Sequence, residues 1–126
     1  MSKGGFKSLL VWQKAQDLAV VVYGLTKSPA FSREYALADQ MRRAAISISS
    51  NIAEGDERDT DKDAVRFFYI AKGSAAELRT QLDLANKVSL ISDLEFQQLD
   101  QQSEEIARML RGLIKARSLH ADPSRP

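Results

Sequence analysis

Proline is almost missing from this chain. Pro29 interrupts the first part, and Pro123 and Pro126 lie at the C-terminal end, so residues 30–122 contain nothing that forbids a helix. Proline removes a backbone donor and clashes with the preceding turn, so long helices need its absence. The hydrophobic pattern then decides the class. No segment alternates apolar and polar residues as a half-buried strand does, whereas four segments repeat apolar residues every three or four positions.

The first segment predicts a helix over residues 8–27, with Trp12, Ala15, Ala19, Val22, Tyr23 and Thr26 on one face and Val11, Leu18 and Leu25 widening it. Ser28-Pro29 ends it, because the residue before a proline is pushed out of helical geometry. The second spans residues 33–54, with Ser32 as N-cap, Glu34 in the first turn, a stripe of Leu37, Met41, Ala44, Ile48 and Ile52, and Gly55 as the left-handed C-terminal residue. The third spans 61–88, capped by Thr60, with Phe67, Ile70, Ala71, Ser74, Leu78, Leu82 and Ala85 on its buried face. Gly73 lies inside it and marks either a close helix crossing or a tolerated defect costing ~1 kcal/mol. The fourth opens on Ser92-Asp-Leu-Glu95, a capping box, and presents Leu94, Leu99, Ile106, Leu110, Leu113 and Ile114.

Short connections near residues 28–32, 55–60 and 89–92 favour antiparallel neighbours. The expected fold is therefore all-α, an antiparallel up-down-up-down four-helix bundle forming one domain over residues 1–117, with 118–126 as a disordered tail. An apolar content of 44% supports a real core. The longest apolar run, residues 18–23, is far short of the ~20 residues of a membrane span. There is no cysteine, which excludes disulfides, thiolate metal sites and cysteine nucleophiles and fits a reducing, cytoplasmic setting.

Catalytic chemistry finds little purchase. His120 is the single histidine and falls in the tail, so neither a paired Glu-x-x-His di-iron site nor a Ser/His/acid set can be assembled. Asp59, Asp61 and Asp63 have the alternate spacing of a calcium loop, but Ala64 and Ile70 stand where it needs Gly and Glu. The acidic run from Asp56 to Asp63 reads instead as a solvated helix start. No metal and no cofactor is expected. A carboxylate-only acid–base pair, with Glu54 and Glu77 as its members, is the weakest reading.

More informative is a polar stripe beside the apolar one on the second helix. Gln40, Arg43, Ser47, Asn51 and Glu54 recur every three or four residues, and Ser74, Glu77 and Gln81 form a comparable set on the third. Polar groups at a helix contact cost ~1–3 kcal/mol each if left without partners. One reading is a structural network fixing register or subunit packing. The other is a ligand or nucleic-acid surface in which Arg42 and Arg43 meet phosphate. A net charge of +1 lacks the excess of a dedicated nucleic-acid binder, although charge can be segregated within a neutral total.

Four signatures now point to a family. They are Leu10-Val-Trp-Gln-Lys-Ala15 with Leu18-Ala19 and Val22-Tyr23; Gln40-Met-Arg-Arg-Ala-Ala45; Ser47-Ile48 with Asn51-Ile-Ala-Glu-Gly55; and Ile70-Ala-Lys-Gly-Ser74 with Glu77-Leu78. In this order they resemble the four-helix bundle proteins encoded by intervening sequences within bacterial 23S rRNA genes, which have carried a ribosomal-protein-like label. The accessory proteins of diversity-generating retroelements are similar to these. The resemblance spans about residues 6–91. It implies an antiparallel bundle assembled into a homopentamer, and the apolar Val20 and Val21 give the first helix a wider face than a lone bundle needs. It also implies a basic surface that meets nucleic acid, as in the retroelement relatives.

The expectation is a non-catalytic homo-oligomeric interaction protein acting on RNA or on a nucleic-acid-handling partner. Its expected basic contacts are Arg42, Arg43, Arg66 and Lys72, then Arg108, Arg111 and Lys115. RNA, DNA and a protein partner are the open alternatives for what it binds, and no membrane is involved. The rival account is a structural or protein-partner scaffold without nucleic acid.

Overall fold

A computed structural model of the chain describes residues 1–121. Four α-helices follow one another: α1 (Leu10–Thr26), α2 (Tyr35–Asp56), α3 (Asp61–Lys87) and α4 (Asp93–Ala121), with 3-10 turns at Phe6–Ser8 and Pro29–Phe31. Cross-helix contacts fix the directions. Gln16 meets Ser49 while Thr26 meets Arg42. Ser47 meets Ser74, while Gly55 lies against Ala64 and Phe68. Arg79 meets Asp100, while Asp61 meets Arg117. Numbers rise on one helix as they fall on the next, so all three neighbouring pairs are antiparallel. α3 packs extensively on α2 and α4, and α1 closes the ring by touching both of them. The result is the expected up-down-up-down four-helix bundle.

Local signals explain most of the boundaries. Thr60 Oγ1 accepts from Asp63 N at 3.1 Å, capping α3 as expected. The capping box of α4 is reciprocal: Glu95 N donates to Ser92 Oγ at 3.1 Å, and Ser92 N to Glu95 Oε1 at 2.9 Å. α3 ends in a paired-bond C-terminal motif, with Leu90 N bonded to Ala85 O and Ser89 N to Asn86 O, and Ser89 takes the left-handed conformation at φ 65°. Pro29 opens a 3-10 turn that carries Phe31 into the core.

Several expectations need correction. α1 starts at Leu10 rather than Ser8, because the 3-10 turn and an extended Leu9 precede it. Ser32 does not cap α2; it ends the preceding turn, and α2 starts after Glu34 without a side-chain cap. Gly55 lies inside α2, not beyond it. α4 continues to Ala121, so residues 118–121 are helical rather than tail, while 122–126 lie outside the described residues.

The core runs the length of the bundle. On α3 the buried residues are Ala64, Phe68, Ala71, Ala75, Leu78, Leu82 and Ala85, a regular three-four repeat. Phe67 and Ser74 are only half-buried and Ile70 is exposed, as is Leu94 on α4. Phe67, Phe68, Tyr69 and Ile70 are all apolar, so composition alone left the phase of the α3 stripe open. Packing settles it: Ala64 lies close against Gly55 of α2, and Phe68, Ala71 and Ala75 follow it into the core.

Two glycines separate packing from propensity. A Cβ on Gly55 would stand 2.7 Å from Phe68 Cε1 and 3.0 Å from the Ala64 carbonyl, whereas one on Gly73 would meet nothing within 4 Å. Gly73 therefore marks no close crossing. Gly55→Ala is expected to destabilise the fold by ~1–3 kcal/mol through overpacking, and Gly73→Ala to stabilise it by up to ~1 kcal/mol. Urea unfolding of the two variants checks this; stabilisation by both would contradict the packing at Gly55.

Candidate nucleic-acid interface

The seven expected basic residues divide between two places. Arg42 and Arg43 are on α2, and both have neighbours in the fold. Arg42 Nε donates to Thr26 Oγ1 at 2.7 Å, and its guanidinium lies 4.9 Å from the centre of the Tyr23 ring. Arg43 Nε donates to Asp39 Oδ2 at 2.8 Å, one turn away on the same helix. That hydrogen bond, and then the Asp39 charge, raises the already high pKa of Arg43.

The other five lie on α3 and α4: Lys72, Arg111 and Lys115 line a groove between the two helices, while Arg66 and Arg108 are exposed on the same helices outside it. Residues 64–76 contain Arg66 and Lys72 and no Asp or Glu; residues 106–121 contain Arg108, Arg111, Lys115 and Arg117 and again no Asp or Glu. Antiparallel pairing sets these two carboxylate-free stretches against each other, because Arg117 meets Asp61 at one end and Arg79 meets Asp100 and Glu104 towards the other. Between these ends runs a groove of ≈ 310 Å³ lined by Tyr69, Lys72, Arg111, Ile114, Lys115 and Ser118. Lys72 Nζ lies 5.7 Å from the centre of the Tyr69 ring. Arg66 lies on the same α3 segment, 5.9 Å from the Phe67 ring.

Glu104 borders this face. It accepts from Arg79 Nη1 and, at 3.0 Å, from Arg111 Nη2. The Arg111 hydrogen bond, with the charges of Arg79, Arg111 and Arg108, holds its carboxyl below the ordinary range against a smaller opposing effect of burial. Glu104 therefore stays ionised and orients Arg111, while most of the face remains cationic.

The expected polar network is partly assembled. Ser47 Oγ and Ser74 Oγ share a hydrogen bond of 2.8 Å between α2 and α3, and Asn51 Nδ2 donates to the Ser47 carbonyl at 2.8 Å and to its hydroxyl at 3.0 Å. The remaining members do not join it. Glu54 accepts from Arg58, Arg43 turns to Asp39, and Gln40 and Glu77 are exposed. Gln81 Oε1 is buried with no hydrogen-bond partner among the described residues.

The sequence reading missed a second polar centre. The acidic run was expected to be solvated, but Asp56 is 0% exposed. Its Oδ1 accepts from Arg117 Nη2 at 3.0 Å, and its two oxygens accept from the Ser2 amide at 3.0 and 3.1 Å. The Ser2 hydroxyl adds a third donor. Arg117 also reaches Asp61 at 3.2 Å and packs its guanidinium 5.6 Å from the Phe68 ring. A signal for this was present. Asp56 continues the stripe through Ile48 and Ile52, and Arg117 continues the one through Leu110 and Ile114, so opposite charges end two core stripes. Among the described residues, no group of three or more His, Cys, Asp or Glu side chains could hold a metal ion, and no helix is long and apolar enough to cross a membrane.

Comparisons with known proteins agree with this architecture. A family model described as 23S rRNA-intervening sequence protein matches residues 7–112. A solved structure is similar over 84% of this chain and 99% of its own, at 25% identity and a TM-score of 0.78. It is a protein of unknown function from the S23 ribosomal protein family of Bacteroides thetaiotaomicron VPI-5482. No curated protein matches the chain.

Removing one partner of a buried ion pair strands the other. Arg117→Met is expected to cost ~3–5 kcal/mol of stability, and the double variant Asp56→Asn/Arg117→Met markedly less than the two single losses combined. Equilibrium unfolding of the four proteins in this cycle tests it; strictly additive losses would contradict a coupled pair.

Proposed function

The chain belongs to the 23S rRNA-intervening sequence protein family, and from that premise we propose that it is a non-catalytic, self-associating protein that binds RNA on the face shared by α3 and α4. One observation carries the reading: carboxylates are absent from residues 64–76 and 106–121, which face each other, although the whole chain is nearly neutral. Phosphate contacts need cations that stay uncompensated at the surface. Lys72 and Lys115 line one groove with no carboxylate partner among the described residues, Arg111 beside them is shared with Glu104, and Arg66 and Arg108 lie on the same two segments. Arg42 and Arg43 become secondary contacts, since both lie on α2 away from this face and Asp39 already pairs with Arg43. The setting proposed is the cytoplasm.

Self-association is assigned to the opposite side of the bundle. Val20 is 71% exposed, and Val21, Tyr23 and Ile46 are exposed beside it on α1 and α2. A hollow of ≈ 500 Å³ lined by Val20, Tyr23, Gly24 and Ile46 runs along this surface. Covering it with a second copy removes apolar area from water at ~25 cal/mol per Å² and leaves the α3–α4 face open. The assembly proposed is the homopentamer that the family resemblance implies.

A second reading, a protein-partner scaffold without RNA, has its own support. Tyr35, Leu84, Val88 and Leu94 are exposed at the end of the bundle where α2 and α4 begin and α3 stops. On this reading that apolar end, not the cationic face, is the working surface.

RNA binding separates the two readings, and the mass in solution tests the self-association. Binding to a labelled RNA is expected to weaken steeply with salt, the logarithm of the association constant falling by ~0.7 per phosphate contacted on a single strand. Charge reversal at Lys72, Arg111 and Lys115 together should abolish binding, while reversal at Arg42 and Arg43 costs far less. No binding at low salt by folded protein would favour the scaffold. Light scattering should give a mass several times the 14.0 kDa of one chain, reduced to a monomer by Val20→Asp with Ile46→Asp; a wild-type monomer would remove the self-association.

A further inference from the structure

We propose that the α3–α4 groove takes single-stranded rather than duplex RNA, with a base stacked on the ring of Tyr69. This rests on the RNA reading above and specifies what the face accepts. The starting point is the ring itself. Tyr69 is 56% exposed in the middle of a carboxylate-free stretch, beside Lys72 on its own helix and across the groove from Arg111 and Lys115. Several other aromatics already have partners: Phe6 packs edge-on against Trp12, Phe68 is in the core, and Phe67 and Tyr23 lie under Arg58 and Arg42 at 4.3 and 4.9 Å. Tyr69 has a cation of its own, Lys72 Nζ at 5.7 Å from the ring centre, but that contact is longer than those on Phe67 and Tyr23 and the residue stays more than half exposed, so much of the ring remains open to a base.

Cations interleaved with an exposed aromatic ring are the chemistry that grips a single strand. The charges follow the backbone, and the ring offers a surface to any base because every base has a π-face. Arg111 and Lys115 are one turn, ~6 Å, apart, and Arg66 and Lys72 are separated by ~9 Å along α3. Tyr69 lies midway between the latter two in sequence; Lys72 is beside the ring on its own wall of the groove and Arg111 and Lys115 are on the other. The groove's ≈ 310 Å³ is at the lower end of ligand-pocket sizes of ~300–1,000 Å³, room for a base and its sugar but not for a helix. In a duplex each base is already stacked and paired, so presenting one to Tyr69 requires unstacking it. Phosphate contacts alone would then hold the duplex.

The test is fluorescence anisotropy at one fixed moderate salt concentration, with a labelled oligouridine strand and an RNA duplex of the same length, on the full chain. The strand is expected to bind more tightly than the duplex. Tyr69→Ala should weaken strand binding about 5- to 150-fold, the range of one stacked base, with the salt slope and duplex binding unchanged, and Tyr69→Phe should retain wild-type affinity. Because Tyr69 is largely exposed, helicity by circular dichroism should be unaltered in both variants. Equal, salt-sensitive binding of strand and duplex, indifferent to Tyr69→Ala, would overturn the stacking inference and leave the RNA reading standing. Absence of binding by either RNA at low salt would overturn both.

Discussion

The bundle depends on the buried carboxylate of Asp56. Four parts of the chain meet there: the end of α2 that carries it, the start of α3 through Asp61, the last turns of α4 through Arg117, and the N-terminal segment through Ser2. A buried ion pair contributes little net stability, because desolvation offsets most of the attraction. Its effect is on geometry. Sliding α4 by one turn would leave Asp56 without its guanidinium, so the alternative register is penalised far more than the native one is rewarded. Arg79, held by Asp100 and Glu104, fixes the same pair of helices towards the other end.

This register also arranges the surface. Carboxylates appear where α3 and α4 are pinned and are missing from the facing stretches between. A chain of net charge +1 thus carries a cationic face without a basic composition. Self-association is proposed on α1 and α2, which contribute the exposed Val20 and Ile46. The two proposed surfaces use different helices, so an assembly built on one would display several copies of the other, and modest individual contacts would be multiplied.

Much of the fold was legible in the sequence. The number of helices, their order, the Thr60 cap and the Ser92–Glu95 capping box follow from local chemistry, which needs no partner to be recognised. Phase and context were harder. Four consecutive apolar residues at Phe67–Ile70 conceal which face of α3 is buried, and only packing against the neighbouring helices resolves it. Gly55 looked like a helix terminator because its real reason, the Phe68 ring against its backbone, lies on another helix. The Asp56–Arg117 pair is separated by 61 residues and was hidden in a run of charges that resembled a solvated loop. For the candidate site, the individual basic residues could be named, but their grouping could not. Pairing Lys72 with Arg111 and Lys115 requires the antiparallel register, and the emphasis on Arg42 and Arg43 gave no weight to Thr26, Tyr23 and Asp39 as their neighbours.

The most direct test of the central claim is to map where RNA touches the protein. A strand carrying 4-thiouridine can be crosslinked to the wild-type chain by light and the attached peptides identified by mass spectrometry. Crosslinks within residues 64–76 and 106–118, with Tyr69 among the modified positions, are the predicted result. Crosslinks concentrated on α2 around Arg42 and Arg43, with α3 and α4 unmarked, would contradict the account.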